Sequence, residues 1–306
     1  MIELANALSE DVDVVLMLPE NHRLTPKHVE LIRSTVNFIP FTLVLHRSIR
    51  DNGRMLLTIL RAIWEEKPDV LHVQSNGHRL FHLIAPLLPS GTRVVNTVHD
   101  PTNHPGDQRS EKIDDRAVRH RAKRFTDRFI VHGESLLPRL CKEYGVEEAK
   151  VSVIPHGNFG IYRKFAEGDL PETDYKNVLF FGRIWRYKGL QYFIDAANRI
   201  IDERDDVVFT IAGEGESLEN YAFDEDKLGQ FRIINRRVSL PEAAEIFAEA
   251  SFVVLPYIEA SQSGVIPLAY AFGKPVVATN VGALSEVVVQ GETGFLVSPG
   301  HIDELT

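Results

Sequence analysis

Short apolar runs alternate with longer amphipathic segments along this chain, and that alternation limits the fold more than any other feature. "DVDVVLML" (11–18), "DVLHVQS" (69–75), "TRVVNTVHD" (92–100), "RFIVHG" (128–133) and "KVSVIPHG" (150–157) are short and rich in Val and Leu. Between them lie amphipathic pieces such as "GRMLLTILRAIWEEK" (53–67) and "ESLLPRLCKEYG" (134–145). Near-continuous apolar strands separated by helices predict a parallel sheet covered on both faces.

The rhythm breaks once. "KFAEGDLPETDYKN" (164–177) is polar and carries Gly and Pro, the composition of a linker. Alternation then restarts with "NVLFFG" (177–182), "DVVFTIAG" (206–213), "FRIINRRV" (231–238), "SFVVLPYI" (251–258), "KPVVAT" (274–279) and "GFLVS" (294–298). A chain of 306 residues suits two domains. The expectation is two Rossmann-like, doubly wound α/β domains: residues 1–163, a linker at 164–176, and residues 177–306. Doubly wound sheets bind ligands at the carboxyl ends of their strands, so two in tandem can share one ligand in a cleft.

Composition excludes several function classes. The formal net charge of -9 gives no bulk attraction to nucleic acid. The single cysteine, Cys141, rules out an internal disulfide framework and fits a reducing compartment. No apolar run approaches the roughly 20 residues that span a bilayer. The opening "MIELANALSEDVD" lacks the basic flank and apolar centre of a signal peptide. The expected location is the cytoplasm, extending to the inner membrane surface.

Three segments carry candidate chemistry. In "FGRIWRYKGL" (181–190) a buried strand runs into Gly182, then Arg183, Arg186 and Lys188, then a helix expected near Gly189. Gly182 permits a sharp turn. Arg183 and Lys188, with the unpaired N–H groups of the helix start, suit a diphosphate. The alternative is a solvated basic loop paired with nearby carboxylates. In "IAGEGE" (211–216), Gly213 allows either close approach to a ligand or a tight turn. In "LPYIEASQSGVIPLAYAFGKPVVAT" (255–279), Glu259 precedes Ser261, Gln262, Ser263 and Gly264 at the start of a second helix. Glu259 only accepts hydrogen bonds, so it suits hydroxyls, while the helix start suits an anion. A ligand with phosphate and polyhydroxyl parts satisfies both.

Together with "GETGFLV", and with "VIPHG" (153–157) and "TVHDPTNHPG" (97–106) in the first half, these segments resemble the retaining nucleotide-sugar glycosyltransferases of family 4, of GT-B fold. The resemblance covers most of the chain. It implies that Arg183 and Lys188 clamp the donor diphosphate, that Glu259 bonds sugar hydroxyls, and that His99 lies in the cleft against the transferred sugar. It implies a nucleotide-sugar donor and a hydroxyl acceptor, saccharide or lipid-linked. With two cations on the diphosphate, the reading needs no metal and no cofactor beyond the donor. A nucleotide-sugar epimerase of the same fold and a non-catalytic nucleotide-sugar-binding fragment remain as alternatives.

The sequence departs from the family pattern in three places. A second glutamate expected in the helix after Glu259 is replaced at the matching positions by Pro267 and Leu268. The chain opens on a helix, "IELANALSE", where relatives open on a strand and glycine-rich loop, so the N-domain is expected to lack its first strand. It ends at "GFLVSPGHIDELT", where relatives continue through further helices. The expectation is a well-formed C-domain and a less stable, gapped N-domain, in a chain that binds a nucleotide diphosphate but transfers sugar poorly.

The histidines and a basic segment complete the candidates. His99, Asp100, His104 and Asp107 follow one strand closely, and His78, His82 and His120 lie elsewhere. A zinc or manganese site is one reading of the first group. The other has His99 lining the cleft within a loop shaped by Pro101 and Pro105. His156 is expected to shape the crossover into the linker. "DDRAVRHRAKRFTDR" (114–128) carries Arg116, Arg119, Arg121, Lys123, Arg124 and Arg128, either as a solvated face or as a contact for anionic lipid or an acidic acceptor.

Overall fold

A computed structural model describes residues 1–20, 24–42, 49–74, 84–102, 120, 122–166, 168–174 and 176–306. They form two compact units. The first carries β1 (Val14–Pro19), β2 (Val36–Phe41), β3 (Val70–Val73), β4 (Arg93–Thr97), β5 (Arg128–Val131) and β6 (Val151–Val153). The second begins at Ile154 and also includes Asp100 and the short piece His132–Leu136. Among the described residues, no helix is long and apolar enough to cross a membrane.

In the first unit β1 pairs with β2 in a two-stranded parallel sheet, and a four-stranded parallel sheet runs β3-β4-β5-β6. Among the described residues β1 and β3 are not paired with each other. The expected opening helix is present as α1 (Ile2–Leu8). β2 is a strand that sequence periodicity did not single out. It contains Pro40, which offers no ladder donor and is tolerated because β2 lies at a sheet edge. The expected helices stand at Ile49–Glu66 and Leu136–Tyr144.

The second unit matches its expected strands throughout: β7 (Asn177–Phe181), β8 (Val208–Ala212), β9 (Phe231–Ile234), β10 (Phe252–Leu255), β11 (Val276–Thr279) and β12 (Gly294–Val297). They form one six-stranded parallel sheet in the order β12-β11-β10-β7-β8-β9. Both faces are buried, which explains the unbroken apolar runs. Val178, Phe180, Phe209 and Ile211 pack on one face with Phe193 and Ile194 of the helix Leu190–Glu203. Leu179, Ala212, Val253 and Leu255 pack on the other with Phe247 and Ile266, from the helices Leu240–Glu249 and Val265–Ala271. The strand order reverses between β7 and β10, so the loops after these strands leave toward opposite faces and open a crevice.

The segment expected as a linker is packed onto the second unit. Asp174 N–H donates to the Glu249 carbonyl at 2.8 Å, and Ser251 Oγ donates to the Asp174 carbonyl at 2.8 Å. The buried Lys274 donates from Nζ to Thr173 Oγ1 at 2.5 Å and to the Ala248 carbonyl at 2.8 Å.

The loops after β7 and β8 interlock through their backbones. Gly182 N–H donates to the Ala212 carbonyl, Ile184 N–H to the Glu214 carbonyl, and Glu216 N–H to the Ile184 carbonyl, at 3.0, 2.9 and 2.8 Å. This contact requires Gly213, whose φ is +154° and where a Cβ would lie 1.7 Å from the Gly182 carbonyl oxygen. The close approach observed at Gly213 is to the backbone of the neighbouring loop. Gly213→Ala should lower stability by about 2–3 kcal/mol through overpacking, measured as a reduced urea midpoint with an unchanged m-value.

Candidate active site at the switch point of the second sheet

The loops after β7 and β10 meet at the strand-order reversal. β7 ends at Phe181 and passes through Gly182, with φ +131°, into the cationic segment. A single 3₁₀ turn, Arg186–Lys188, leads to Gly189, with φ +71°, and then to the helix Leu190–Glu203. No side chain caps that helix, so its N-terminal end keeps its anion-attracting character. Only glycine fits at 189, because a Cβ there would lie 1.8 Å from the Pro256 carbonyl oxygen. Ile258 N–H donates to the Tyr187 carbonyl at 2.8 Å and ties the two loops again.

The three cations have different surroundings. Arg186 is exposed and lies 4.0 Å from Glu216, a weak surface pair. Arg183 is also exposed, and no carboxylate pairs with it among the described residues. Lys188 differs from both. Its ammonium sits 3.6 Å from the ring centroid of Tyr257 and 5.2 Å from that of Tyr187. Burial strips water from the ammonium and pulls its pKa down to about 8. No ion pair compensates it among the described residues. A desolvated cation set against two ring faces, with Tyr187 and Asp100 favouring its charge but outweighed by burial, is a position that an anion would complete.

On the other loop, Glu259 is half-buried. Ser261 is fully enclosed, its hydroxyl has no hydrogen-bond partner among the described residues, and its carbonyl accepts from Ala283 N–H at 2.9 Å. Ser263 Oγ accepts from Val265 N–H at 3.2 Å and lies 3.3 Å from the Tyr257 hydroxyl. The following helix, Val265–Ala271, is only seven residues long and begins at Gly264. One N–H expected to remain free for an anion is therefore occupied by Ser263, and the uncapped helix at Leu190 is the stronger anion-attracting end. Leu268 is a core residue, while Pro267 faces a pocket of about 260 Å³ shared with His132, His156, Gln262, Ser263 and Tyr270. The Gln262 side-chain oxygen is buried without a partner.

His156 stands among aromatic rings. Its ring lies 4.6 Å from His132 and 5.0 Å from Phe159, and Phe159 packs 5.8 Å from Tyr162. His132 Nδ1 lies 2.9 Å from the Ile154 carbonyl oxygen, which can only accept, so the ring carries its proton on Nδ1 and donates. Glu286, not singled out from sequence, accepts from the N–H groups of Glu134 and Ser135 at 2.6 and 2.8 Å, before the helix Leu136–Tyr144. His99 lies two positions beyond β4 and is half-buried, at the strand's carboxyl end as expected. His78, His82, His104, Pro105, Asp107, Arg116, Arg119 and Arg121 lie outside the described residues. Sequence reasoning also missed Tyr257. Its one visible signal is an aromatic residue between the end of a strand and Glu259.

Residues 1–157 match the family model described as Glycosyltransferase Family 4, and residues 175–306 match Glycosyl transferases group 1. The chain is 29% identical to an Escherichia coli UDP-Gal:alpha-D-GlcNAc-diphosphoundecaprenol alpha-1,3-galactosyltransferase, over 96% of its own length and 78% of that protein's. It is 32% identical to a D-inositol 3-phosphate glycosyltransferase of Paenarthrobacter aurescens, over 68% of its length and 53% of that protein's. It therefore spans about half of the second relative. Among solved structures, Anabaena HepE in complex with UDP aligns over 99% of this chain and 83% of its own, with TM-score 0.64 and 17% identity. A sucrose-phosphate synthase of Thermosynechococcus elongatus aligns over 99% and 80%, with TM-score 0.68 and 18% identity. At these identities the likeness gives the fold, GT-B with two Rossmann-like domains.

Burial of Lys188 has an effect measurable without any ligand. Its folded pKa of about 8 lies below the ordinary 10.5, so between these values the unfolded chain binds more protons than the folded one. The penalty is full below about pH 8 and is relieved as pH rises toward 10.5. Lys188→Met should therefore stabilise the protein at neutral pH, and the gain should shrink under alkaline conditions. Paired urea titrations of wild type and variant at the two pH values measure the difference.

Proposed function

Because the chain belongs to glycosyltransferase family 4, we propose that it moves a sugar from a nucleoside-diphosphate sugar to an acceptor hydroxyl, with retention at the anomeric carbon. The observation that carries this reading is Lys188, a desolvated ammonium without an ion-pair partner among the described residues, at the switch point beside Arg183 and an uncapped helix. The names of similar proteins support a nucleotide-sugar donor: the Escherichia coli relative is named for UDP-Gal, and the Anabaena structure holds UDP. The acceptors named for the two relatives differ, so the acceptor is proposed only as a saccharide or lipid-linked hydroxyl. The reading places the protein in the cytoplasm, at the inner membrane surface where its acceptor is lipid-linked.

In this mechanism the bond between the anomeric carbon and the β-phosphate oxygen breaks, and its electron pair goes to the phosphate. Arg183, Lys188 and the N-terminal end of the helix Leu190–Glu203 stabilise the growing negative charge. The acceptor oxygen bonds to the anomeric carbon on the face the phosphate leaves, and its proton passes to a phosphate oxygen. Glu259 accepts from sugar hydroxyls. The roles of Glu259 and His99 toward the sugar rest on the family resemblance. No step requires a metal or cofactor.

Incubation with UDP-, GDP- and ADP-sugars, with and without hydroxyl acceptors, tests the reading by product analysis. Sugar isomers formed from donor alone would indicate an epimerase instead. Arg183→Ala and Lys188→Ala should each weaken UDP binding by roughly 1.5–3 kcal/mol through loss of a charge-assisted contact, read by calorimetry. Unchanged affinity in both would remove the clamp. His99→Ala and Glu259→Ala should lower transfer far more than UDP affinity, because free UDP lacks the sugar. A parallel loss of both quantities in either variant would reject its assignment.

A further inference from the structure

Resting on the diphosphate reading above, we propose that Tyr257 is a positioning residue: its ring face, in place of a carboxylate, holds the Lys188 ammonium where the donor's diphosphate completes its surroundings. The contact is close, 3.6 Å from the ammonium to the ring centroid. The ring is also fixed. Tyr257 is 1% exposed, its carbonyl accepts from Thr279 Oγ1 at 2.6 Å, and its hydroxyl lies 3.3 Å from Ser263 Oγ. Ile258, the next residue, ties to the Tyr187 carbonyl at 2.8 Å. Tyr257 therefore touches the cationic loop through its ring and the serine loop through its hydroxyl.

The chemistry explains why a ring suits this position. A carboxylate beside Lys188 would hold the cation, but it would also repel an incoming diphosphate. An aromatic face attracts the cation through its quadrupole and carries no net charge. It offers no lone pairs, so the N–H donors remain available to the ligand. The buried Lys274 shows the contrasting arrangement, donating to Thr173 Oγ1 and the Ala248 carbonyl. The remaining charged and titratable groups acting on Lys188 are Tyr187 and Asp100, which favour its protonated form, and Arg183, which opposes it. Burial outweighs all three.

The test is calorimetric titration with UDP across neutral to alkaline pH, on wild type, Tyr257→Phe, Tyr257→Leu and Lys188→Gln. Tyr257→Phe keeps the ring and should bind UDP within about twofold of wild type. Tyr257→Leu removes the ring face and should weaken binding by roughly tenfold or more. In Tyr257→Leu the pH at which affinity begins to fall should also move below its wild-type position near 8, because the protonated form has lost its support. A residue that merely fills the core would not move that inflection. Unchanged affinity and inflection in Tyr257→Leu, with Lys188→Gln impaired, would overturn the positioning role and leave the clamp standing. Unchanged UDP affinity in Lys188→Gln would overturn the underlying reading. Should Tyr257→Leu fail to fold, the wild type carries the test. In carbon-13 lysine-labelled protein, with Lys188→Arg for assignment, the Lys188 ε-methylene protons should show an upfield ring-current shift. Their absence from that region would overturn the proposal.

Discussion

The reversal of strand order between β7 and β10 is the constraint on which the candidate site depends. Parallel ladders hold both strands in register, Val178 beside Phe252 and Leu179 beside Val253, so the two chains emerge from the same sheet edge at fixed spacing. Their connections then diverge to opposite faces. Polar groups placed just beyond Phe181 and Leu255 must meet at the crevice. The precision of the site comes from the sheet, and the loops need only preserve it.

Those loops preserve it by backbone contact. The Gly189 α-carbon packs on the Pro256 carbonyl, and Gly213 packs on the Gly182 carbonyl. Neither contact tolerates a side chain, so the loops from β7, β8 and β10 form one connected layer under the cations. Tyr257 belongs to this layer rather than to the surface. Stiffness of this kind favours catalysis by charge stabilisation, where a donor that must move into place loses much of its effect.

The second sheet was legible in the sequence because both its faces are buried. The central strands β7, β8, β10 and β11 had to be largely apolar, and their runs stand out, while the edge strands β9 and β12 leave Arg232 and Phe295 exposed. β2 was not legible, because Pro40 and Asn37 interrupt its pattern and only an edge position makes them acceptable. The polarity of residues 164–176 reads as a linker, while Asp174 docks on Glu249 and Ser251 through its backbone and Thr173 accepts from Lys274 through its hydroxyl. At the site, Arg183, Lys188 and Glu259 could be named because charge next to a strand end is visible in one dimension. The ring beneath Lys188 was not visible, since a cation–π contact between residues 188 and 257 has no sequence spacing.

The unpaired ammonium of Lys188 also ties the endurance of the molecule to its supply of ligand. Without an anion the site keeps a desolvated charge that no ion pair among the described residues compensates, and an anion that binds only the folded state adds its binding free energy to the folding free energy. Protein that meets abundant donor is protected from opening and from proteases that act on opened chains. Protein made in excess of its donor is left exposed to them. Turnover could in this way adjust enzyme level to substrate without any dedicated regulator.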